Sequence, residues 1–372
     1  MSRPADHADP DDAPPHVPLR RGWTTGACAA AAARAAFEAL LGLEPSDPVP
    51  VQLPGGQRPL FALARLEREA DAATAGIVKD AGDDPDVTHG ALVTARVSRG
   101  PAGSGVAFRA GPGVGTVTLP GLPLPPGEPA INPGPRAMIR AALDEVAARH
   151  GVPADLVVAV GVADGARIAL RTMNARLGIL GGLSILGTTG IVVPYSCGAW
   201  IATIHRGLDV ARAAGLTHVA GATGSTSEAA VKALHGLPEQ ALIDMGDFVG
   251  GMLKYIRRHP VPRVTVAGGF AKMCKLGQGL LDLHSKRDAV DFDWLADRVA
   301  EAGGGPDLTA AARRANTALE VLGLAARLPL PALVAAHARR TAAAALDRVD
   351  VDLDVVVFDR AGGWLATAAE VP

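Results

Sequence analysis

The run His218-Val219-Ala220-Gly221-Ala222-Thr223-Gly224-Ser225-Thr226-Ser227-Glu228 decides the fold of the second half of the chain. A compact apolar strand, His218–Ala220, leads into a glycine turn, and a helical pattern over Ser227–Leu234 follows. Strands buried on both faces read as continuous apolar runs, so strand, glycine turn and helix in that order predict a parallel sheet covered on both sides. The texture recurs from about residue 155. Leu156–Val160, Gly190–Val193, Ala241–Met245 and Val264–Ala267 are short apolar runs, and helical patterns such as Gly198–Ala214 separate most of them. Gly268-Gly269-Phe270 repeats the glycine after a strand. Residues 288–372 add helices at Trp294–Ala302, Leu308–Leu324 and Pro331–Leu346 and a late strand, Val351–Phe358.

Upstream the texture differs. Thr24-Thr25-Gly26 precedes the alanine-rich Ala27–Leu41, a capped helix start followed by strong helix formers. Short β-like runs follow at Val49–Leu53, Leu60–Leu66, Thr74–Lys79, Leu92–Ser98 and Val106–Ala110, then a loop rich in Pro and Gly and a helix from Pro135 to about His150. The organisation expected is a two-domain α+β and α/β chain. An α+β domain spans 19–152, and a Rossmann-like α/β domain with a parallel sheet and C-terminal helices spans 153–372. Residues 1–18, rich in Pro and Asp, read as a disordered tail.

Composition narrows the function. The chain has 372 residues, 48% hydrophobic, and a mean hydropathy of +0.21, enough for a large core. A net charge of −2 gives no overall field toward nucleic acid or an anionic membrane, and 3% aromatics argues against base-stacking platforms. Three cysteines far apart, with no paired spacing, suit a reducing cytoplasm. Leu177–Ile204 carries no charge and could span a bilayer, but six glycines and Pro194 interrupt it, so it reads as buried strands and loops. No G-x-G-x-x-G, Gly-Lys-Ser/Thr, H-E-x-x-H or G-x-S-x-G pattern occurs, which leaves the usual dinucleotide, phosphate-loop, zinc and esterase readings unsupported.

Three features carry chemistry. Lys79–Gly90 places four carboxylates between Asp80 and Asp86. It is either a solvated turn with Asx caps or a loop that holds a cation, positions a cationic group or supplies a base. Asn174–Gly190 is dense in glycine, which suits tight packing or a backbone that closely approaches a ligand. Gly221–Glu228 sits at the carboxyl end of a parallel strand, where α/β sheets bind ligands; Glu228 either accepts ribose hydroxyls or sits in the first helical turn. Arg136, Arg140, Arg171, Arg176, Lys272 and Lys275 near these loops would suit a small polyanion.

Taken together, these stretches resemble the cobalt-precorrin-5B C1-methyltransferases of the anaerobic cobalamin pathway. The likeness lies in Gly22-Trp23-Thr24-Thr25-Gly26-Ala27-Cys28-Ala29, Lys79–Gly90, Gly113-Val114-Gly115-Thr116-Val117-Thr118, Ile131-Asn132-Pro133-Gly134-Pro135-Arg136 and Asn174–Gly190, with His284-Ser285 similar to the family's late His-Ser. The chain departs from the family where Gly221-Ala222-Thr223-Gly224 replaces a Gly-Asn type turn and Gly268-Gly269-Phe270-Ala271-Lys272 replaces Gly-His-x-Gly-Lys. The resemblance implies methyl transfer from S-adenosylmethionine to C1 of a cobalt-containing, ring-contracted tetrapyrrole. Cobalt then arrives within the substrate and no protein-held metal is expected. It also implies a first domain like domain 2 of ribosomal protein S5.

On that resemblance, Asp80, Asp83 and Asp84 are the catalytic candidates, to steady the sulfonium or take up a proton. Gly181, Gly182, Ser184, Gly187, Thr188, Thr189, Gly221, Gly224 and Glu228 are candidates for the methyl donor. Thr24, Thr25, Lys79, Arg136, Asn174, Arg176, Lys272 and His284 are candidates for the tetrapyrrole. Which glycine loop takes the donor is open, as is a homo-oligomer; neither nucleic acid nor membrane is expected as a partner. Two other readings stay open: a nucleotide-dependent kinase, which the missing phosphate-loop lysine opposes, and a non-catalytic tetrapyrrole carrier.

Overall fold

The computed structural model describes residues 18–284 and 289–369. The expected tail, apart from Pro18, and Ser285 of the His-Ser pair lie outside the described residues. The protein is a mixed α/β chain with parallel and antiparallel sheets.

The chain begins with β1 (Gly22–Trp23) and α1 (Thr25–Leu40). Thr24 sets the start of α1, its side chain accepting the Ala27 N–H at 3.2 Å. Alanine keeps the helix narrow and largely apolar, and every residue from Thr25 to Ala39 is buried, Arg34 and Glu38 among them. Next come β2 (Val49–Pro50), β3 (Leu60–Phe61), β4 (Arg65–Arg68), β5 (Ala72–Val78), β6 (Leu92–Arg99), β7 (Val106–Ala110) and β8 (Thr116–Val117). The helix α2 (Pro133–His150) starts on prolines and stops at Gly151, whose φ of 64° closes the last turn. It is followed by β9 (Leu156–Val162). One sheet runs β4-β5-β6-β9-β7, antiparallel except where β7 and β9 lie parallel. Helix α1 packs on β5, β6 and α2.

Then come α3 (Gly165–Ala169), β10 (Ile179–Leu180), β11 (Ile191–Val192), α4 (Cys197–Ala213), β12 (His218–Ala222), α5 (Ser225–His235), β13 (Leu242–Asp244), α6 (Val249–Arg258), β14 (Arg263–Gly269) and α7 (Phe270–Gly277). The chain ends in α8 (Phe292–Glu301), α9 (Pro306–Arg313), α10 (Ala318–Leu324), α11 (Leu330–Leu346), β15 (Asp352–Phe358) and β16 (Trp364–Ala368). The second large sheet runs β13-β12-β14-β15-β16, parallel but for β16. Successive residues alternate faces: Val219 and Val264 turn to the core of α4, α6, α7 and α11, while Ala220 and Val356 turn to Val231 of α5. Because β12 pairs with β13 on one side and β14 on the other, the winding reverses between β12 and β14.

Three local expectations change. The run Leu156–Val160 joins the first sheet as β9, and Gly190–Val193 yields β11, which pairs antiparallel with β1. An apolar run is equally satisfied in either sheet, so its pattern alone does not choose. The expected helix Leu308–Leu324 breaks in two, because the Thr317 side chain accepts the Glu320 N–H and starts α10 anew. The described residues cluster into two compact units, one within 1–113, 131–168 and 185–195, the other within 114–130, 169–184 and 196–372. The chain thus passes between the two units several times. Among the described residues no helix is long and apolar enough to cross a membrane.

A cluster at the amino end of the second sheet makes stability pH-dependent. His218 Nε2 lies 2.8 Å from Thr265 Oγ1 and its ring meets His235 edge-on at 4.9 Å, while Arg263 donates to the buried Asp354 at 2.6 Å. Burial first, then the positive Arg263, hold the His218 imidazolium down to about 4, and Asp354 only partly opposes this. The unfolded chain takes up that proton near the usual 6.5 and the folded chain only near 4. Stability is therefore expected to fall as pH drops through that window. Urea midpoints at neutral and acidic pH should show a slope that His218→Gln flattens; an unchanged slope would reject the assignment.

Candidate functional site

The acidic loop belongs to the first unit and is organised by Arg20. The Arg20 side chain grips Asp80 through Nη1 at 2.5 Å and Nη2 at 2.9 Å, and its backbone N–H donates to Asp83 Oδ2 at 2.6 Å. Trp23 N–H donates to Asp80 O at 2.7 Å, and a Cβ on Gly22 would overlap the Ala81 backbone, which explains a glycine there. The Arg20 hydrogen bonds, then the Gly82 N–H, pull the Asp80 carboxyl down to about 2. Asp80 is thus a committed carboxylate, poorly suited to take up a proton near neutrality. Asp84 accepts the Tyr195 N–H at 2.9 Å, and Asp83 is exposed.

Lys79 does not reach out to a ligand, contrary to its expected role. Its side chain is 2% exposed, and its ammonium bonds Asp86 and Thr88, the latter at 2.5 Å. Burial pushes the Asp86 carboxyl up, but Lys79 and Thr88 outweigh that and hold it below the usual range. His89 Nδ1 accepts the Ala81 N–H at 3.1 Å. Among the described residues no group of three or more His, Cys, Asp or Glu could hold a metal ion. Burial pushes the Cys28 thiol up to about 12 and raises that of Cys274 as well, so neither is a ready thiolate.

The Asn174–Gly190 string divides between the units at Ser184. In the first unit, Thr24 N–H donates to Gly190 O at 3.0 Å and Gly26 N–H to Leu186 O at 3.2 Å. Gly187 has φ of 120°, and a Cβ on it would overlap Thr24 Oγ1, so only glycine lets this segment lie against the start of α1. Thr24 and Thr25 are buried, Thr24 acting as the cap. Thr188 and Thr189 are exposed, and Thr189 Oγ1 accepts the Ile191 N–H at 3.2 Å. Arg136 Nε donates to Ile131 O at 2.7 Å, and Arg136 and Arg140 both lie over the Phe108 ring.

In the second unit Asn174 is a brace rather than a free ligand. Its buried amide donates to Gly182 O at 3.2 Å and accepts from Ser184 Oγ at 3.2 Å. Gly182 is buried, whereas Gly181, with φ of 84°, is exposed.

The carboxyl edge of the second sheet gathers the remaining candidates. Gly224, Ser225 and Thr226 are exposed there. Gly221 is not: it lies within β12, where a Cβ would overlap the Met252 sulfur, so packing accounts for it. Arg176 and Glu228, expected to contact separate ligands, take each other instead, with two hydrogen bonds of 2.8 Å between largely buried side chains. Lys272 donates to Thr223 O at 2.8 Å and pairs with Asp247 at 3.0 Å. Lys275 is buried, donating to Leu283 O at 3.3 Å, while His284 is exposed. Asp244, at the end of β13, escaped the motif reading. Burial, then the charge of Glu228, pushes its carboxyl up. An acid directly after Leu242-Ile243, at the end of an apolar strand, was the available signal.

A sheet wound in both directions from β12, with exposed glycine and hydroxyl residues where its winding reverses, defines the class: an α/β protein whose open strand ends lie where such sheets commonly take ligands. The family models described as CbiD and as CbiD, C-terminal domain, match residues 13–194 and 282–369. The chain is 69% identical over 351 residues to the cobalt-precorrin-5B C(1)-methyltransferase of Methylorubrum extorquens, covering 94% of this chain and 97% of that relative. It is 64% identical to the protein of the same name from Bradyrhizobium sp., over 94% and 93%. A solved structure of the cobalamin biosynthesis protein (cbiD) from Archaeoglobus fulgidus is 27% identical, covers 72% of this chain and 83% of that one, and has a TM-score of 0.40. The chain belongs to the CbiD family.

Proposed function

We propose that this protein methylates C1 of cobalt-precorrin-5B, with S-adenosylmethionine as donor, in cobalamin biosynthesis. The observation that carries the reading is identity of 69% to a relative of that name along nearly the whole of both chains. The finer architecture we propose is a first unit like domain 2 of ribosomal protein S5 and a Rossmann-like second unit. The helix-backed first sheet and the reversal between β12 and β14 support it. Cobalt enters within the substrate, and a cytoplasmic setting fits three free cysteines.

When bound, the donor supplies an electrophilic methyl on a sulfonium. A ring carbon forms the new bond as the sulfur–methyl bond breaks and the electron pair stays on sulfur as a thioether. Alignment and exclusion of water matter more here than a strong protein nucleophile. In the first unit, Asp83 and Asp84 are the carboxylates of the acidic loop left for the sulfonium or a departing proton, since Arg20 holds Asp80. Arg136, Arg140 and the exposed Thr188 and Thr189 suit carboxylate arms of the tetrapyrrole. In the second unit, Gly181, Gly224 and Lys272 remain candidates for donor or substrate.

The purified protein, given cobalt-precorrin-5B and S-adenosylmethionine, should yield a corrinoid heavier by one methyl in place of a hydrogen, together with S-adenosylhomocysteine. Tight corrinoid binding with no heat from S-adenosylhomocysteine would favour a carrier, and stabilisation by ATP a kinase. Asp84→Asn is expected to slow turnover about 100-fold while leaving the melting temperature near that of the parent. Full turnover in both Asp83→Asn and Asp84→Asn would remove the loop from the chemistry.

A further inference from the structure

We infer that Asp244 receives the ribose hydroxyls of an adenosine ligand at the reversal point of the second sheet. The inference rests on the methyl-transfer reading and identifies where in this unit the donor's nucleoside would be held.

β12, its glycine turn, α5 and β13 form one strand–helix–strand unit, and Asp244 is the last residue of β13. From Gly224 to Asp244 is twenty positions (244 − 224), the spacing at which a nucleotide-binding unit of this kind places its ribose-binding acid. The register sets Ala222 beside Asp244, so the carboxylate stands next to the strand that feeds the exposed Gly224-Ser225-Thr226 turn.

The surrounding charges set the same residue apart. Four acids gather at this edge. Glu228 and Glu239 are paired with Arg176 and Lys232, and Asp247 with Lys272. Among the described residues no Lys or Arg lies within ion-pair distance of Asp244, although it is only partly exposed. Arg176 and Lys272 act on its carboxylate only from beyond that distance, and the Gly246 N–H supplies one hydrogen bond; a half-buried carboxylate so placed is costly unless further donors complete it. Vicinal hydroxyls are neutral donors that would do so without adding charge.

The surroundings also fit a nucleoside. The Trp200 indole donates to Asp244 O at 3.2 Å and remains 47% exposed. Gly246, with φ of 53°, lies close beneath its ring, where a Cβ would come within 3.3 Å. The edge thus places an aromatic surface against the backbone of Asp244 and Gly246, within the stretch a base and its ribose would occupy.

Calorimetry on the full chain with S-adenosylhomocysteine and its 2′,3′-dideoxy analogue tests this. The parent should prefer the ribose form about 10- to 100-fold, the value of hydrogen bonds to a charged group. Asp244→Ala should abolish the preference by weakening the ribose form and leaving the dideoxy form unchanged. Should that variant fail to fold, Asp244→Asn carries the same test. A full preference surviving in a folded variant overturns the assignment alone. Failure of the parent to bind S-adenosylhomocysteine at all overturns the donor reading and this inference with it.

Discussion

Arg34→Met is expected to lower the free energy of unfolding by about 3–5 kcal/mol, the loss typical when one member of a buried ion pair is removed. Arg34 sits in the middle of α1 with a side chain 1% exposed. Its Nε is 3.3 Å from Glu38 and its Nη1 2.9 Å from Glu145 of α2. Glu145 keeps Arg58 and Arg149 at 2.6 and 2.9 Å, so it is not abandoned when Arg34 goes. Glu38 is: it is 7% exposed on the side chain, and Arg34 is its ion-pair partner among the described residues. The cost of the substitution is therefore the cost of a lone carboxylate in an alanine-lined interior. The double variant Arg34→Met with Glu38→Leu should regain most of the loss, because an apolar replacement of the whole pair leaves nothing charged behind. Urea denaturation of the three proteins decides it; a single variant within 1 kcal/mol of the parent would show that the pair is not what holds α1.

Lys79→Met is expected to cost about 3 kcal/mol and to reduce turnover at the same time. The ammonium is fully enclosed, while Asp86 retains 23% exposure, which sets the effect at the lower end of the range for buried pairs. Asp86 and Thr88 lose their common partner, and the segment carrying Asp83 and Asp84 loses its anchor at one end. The acid response should change as well. With Lys79 present, Asp86 titrates below its usual 3.8, so its stabilising contribution is present above that value and lost as pH falls through the folded value. Without the ammonium, the burial that pushes this carboxyl up is unopposed by its main charge partner, and acid unfolding should begin at higher pH. A Lys79→Met protein with the stability, acid midpoint and turnover of the parent would contradict this account. The double variant Lys79→Met with Asp86→Asn should regain part of the lost stability, because it leaves no unpaired charge behind.

The role of each site residue was less legible than its position in the motif. Arg176 and Glu228 each carry a charge suited to a ligand, yet they are spent on one another. Asn174 and Ser184 look like polar groups in a glycine loop, yet they brace that loop from inside. Gly221 and Gly224 belong to one turn motif, but the first is packed against methionines and the second is exposed. Residue type indicates what a side chain can do; whether it faces a ligand depends on neighbours many positions away. Asp244 shows the reverse case, an acid outside the motifs that tertiary placement leaves, among the described residues, with no Lys or Arg at ion-pair distance.

Local pattern was enough to determine the capped, alanine-rich α1, the strand–turn–helix succession from β12 to α7, and the motifs that carry the family likeness. Those features depend on contacts within a few residues or on side-chain order along the chain. Only the tertiary structure decided that β9 belongs between β6 and β7, that β11 pairs with β1, and that Lys79 and Arg34 are interior charges. The physical reason is the same in each case. A strand's hydrogen bonds and a charge's counterion come from distant segments, and an apolar run or a lone lysine carries no record of which segment will meet it.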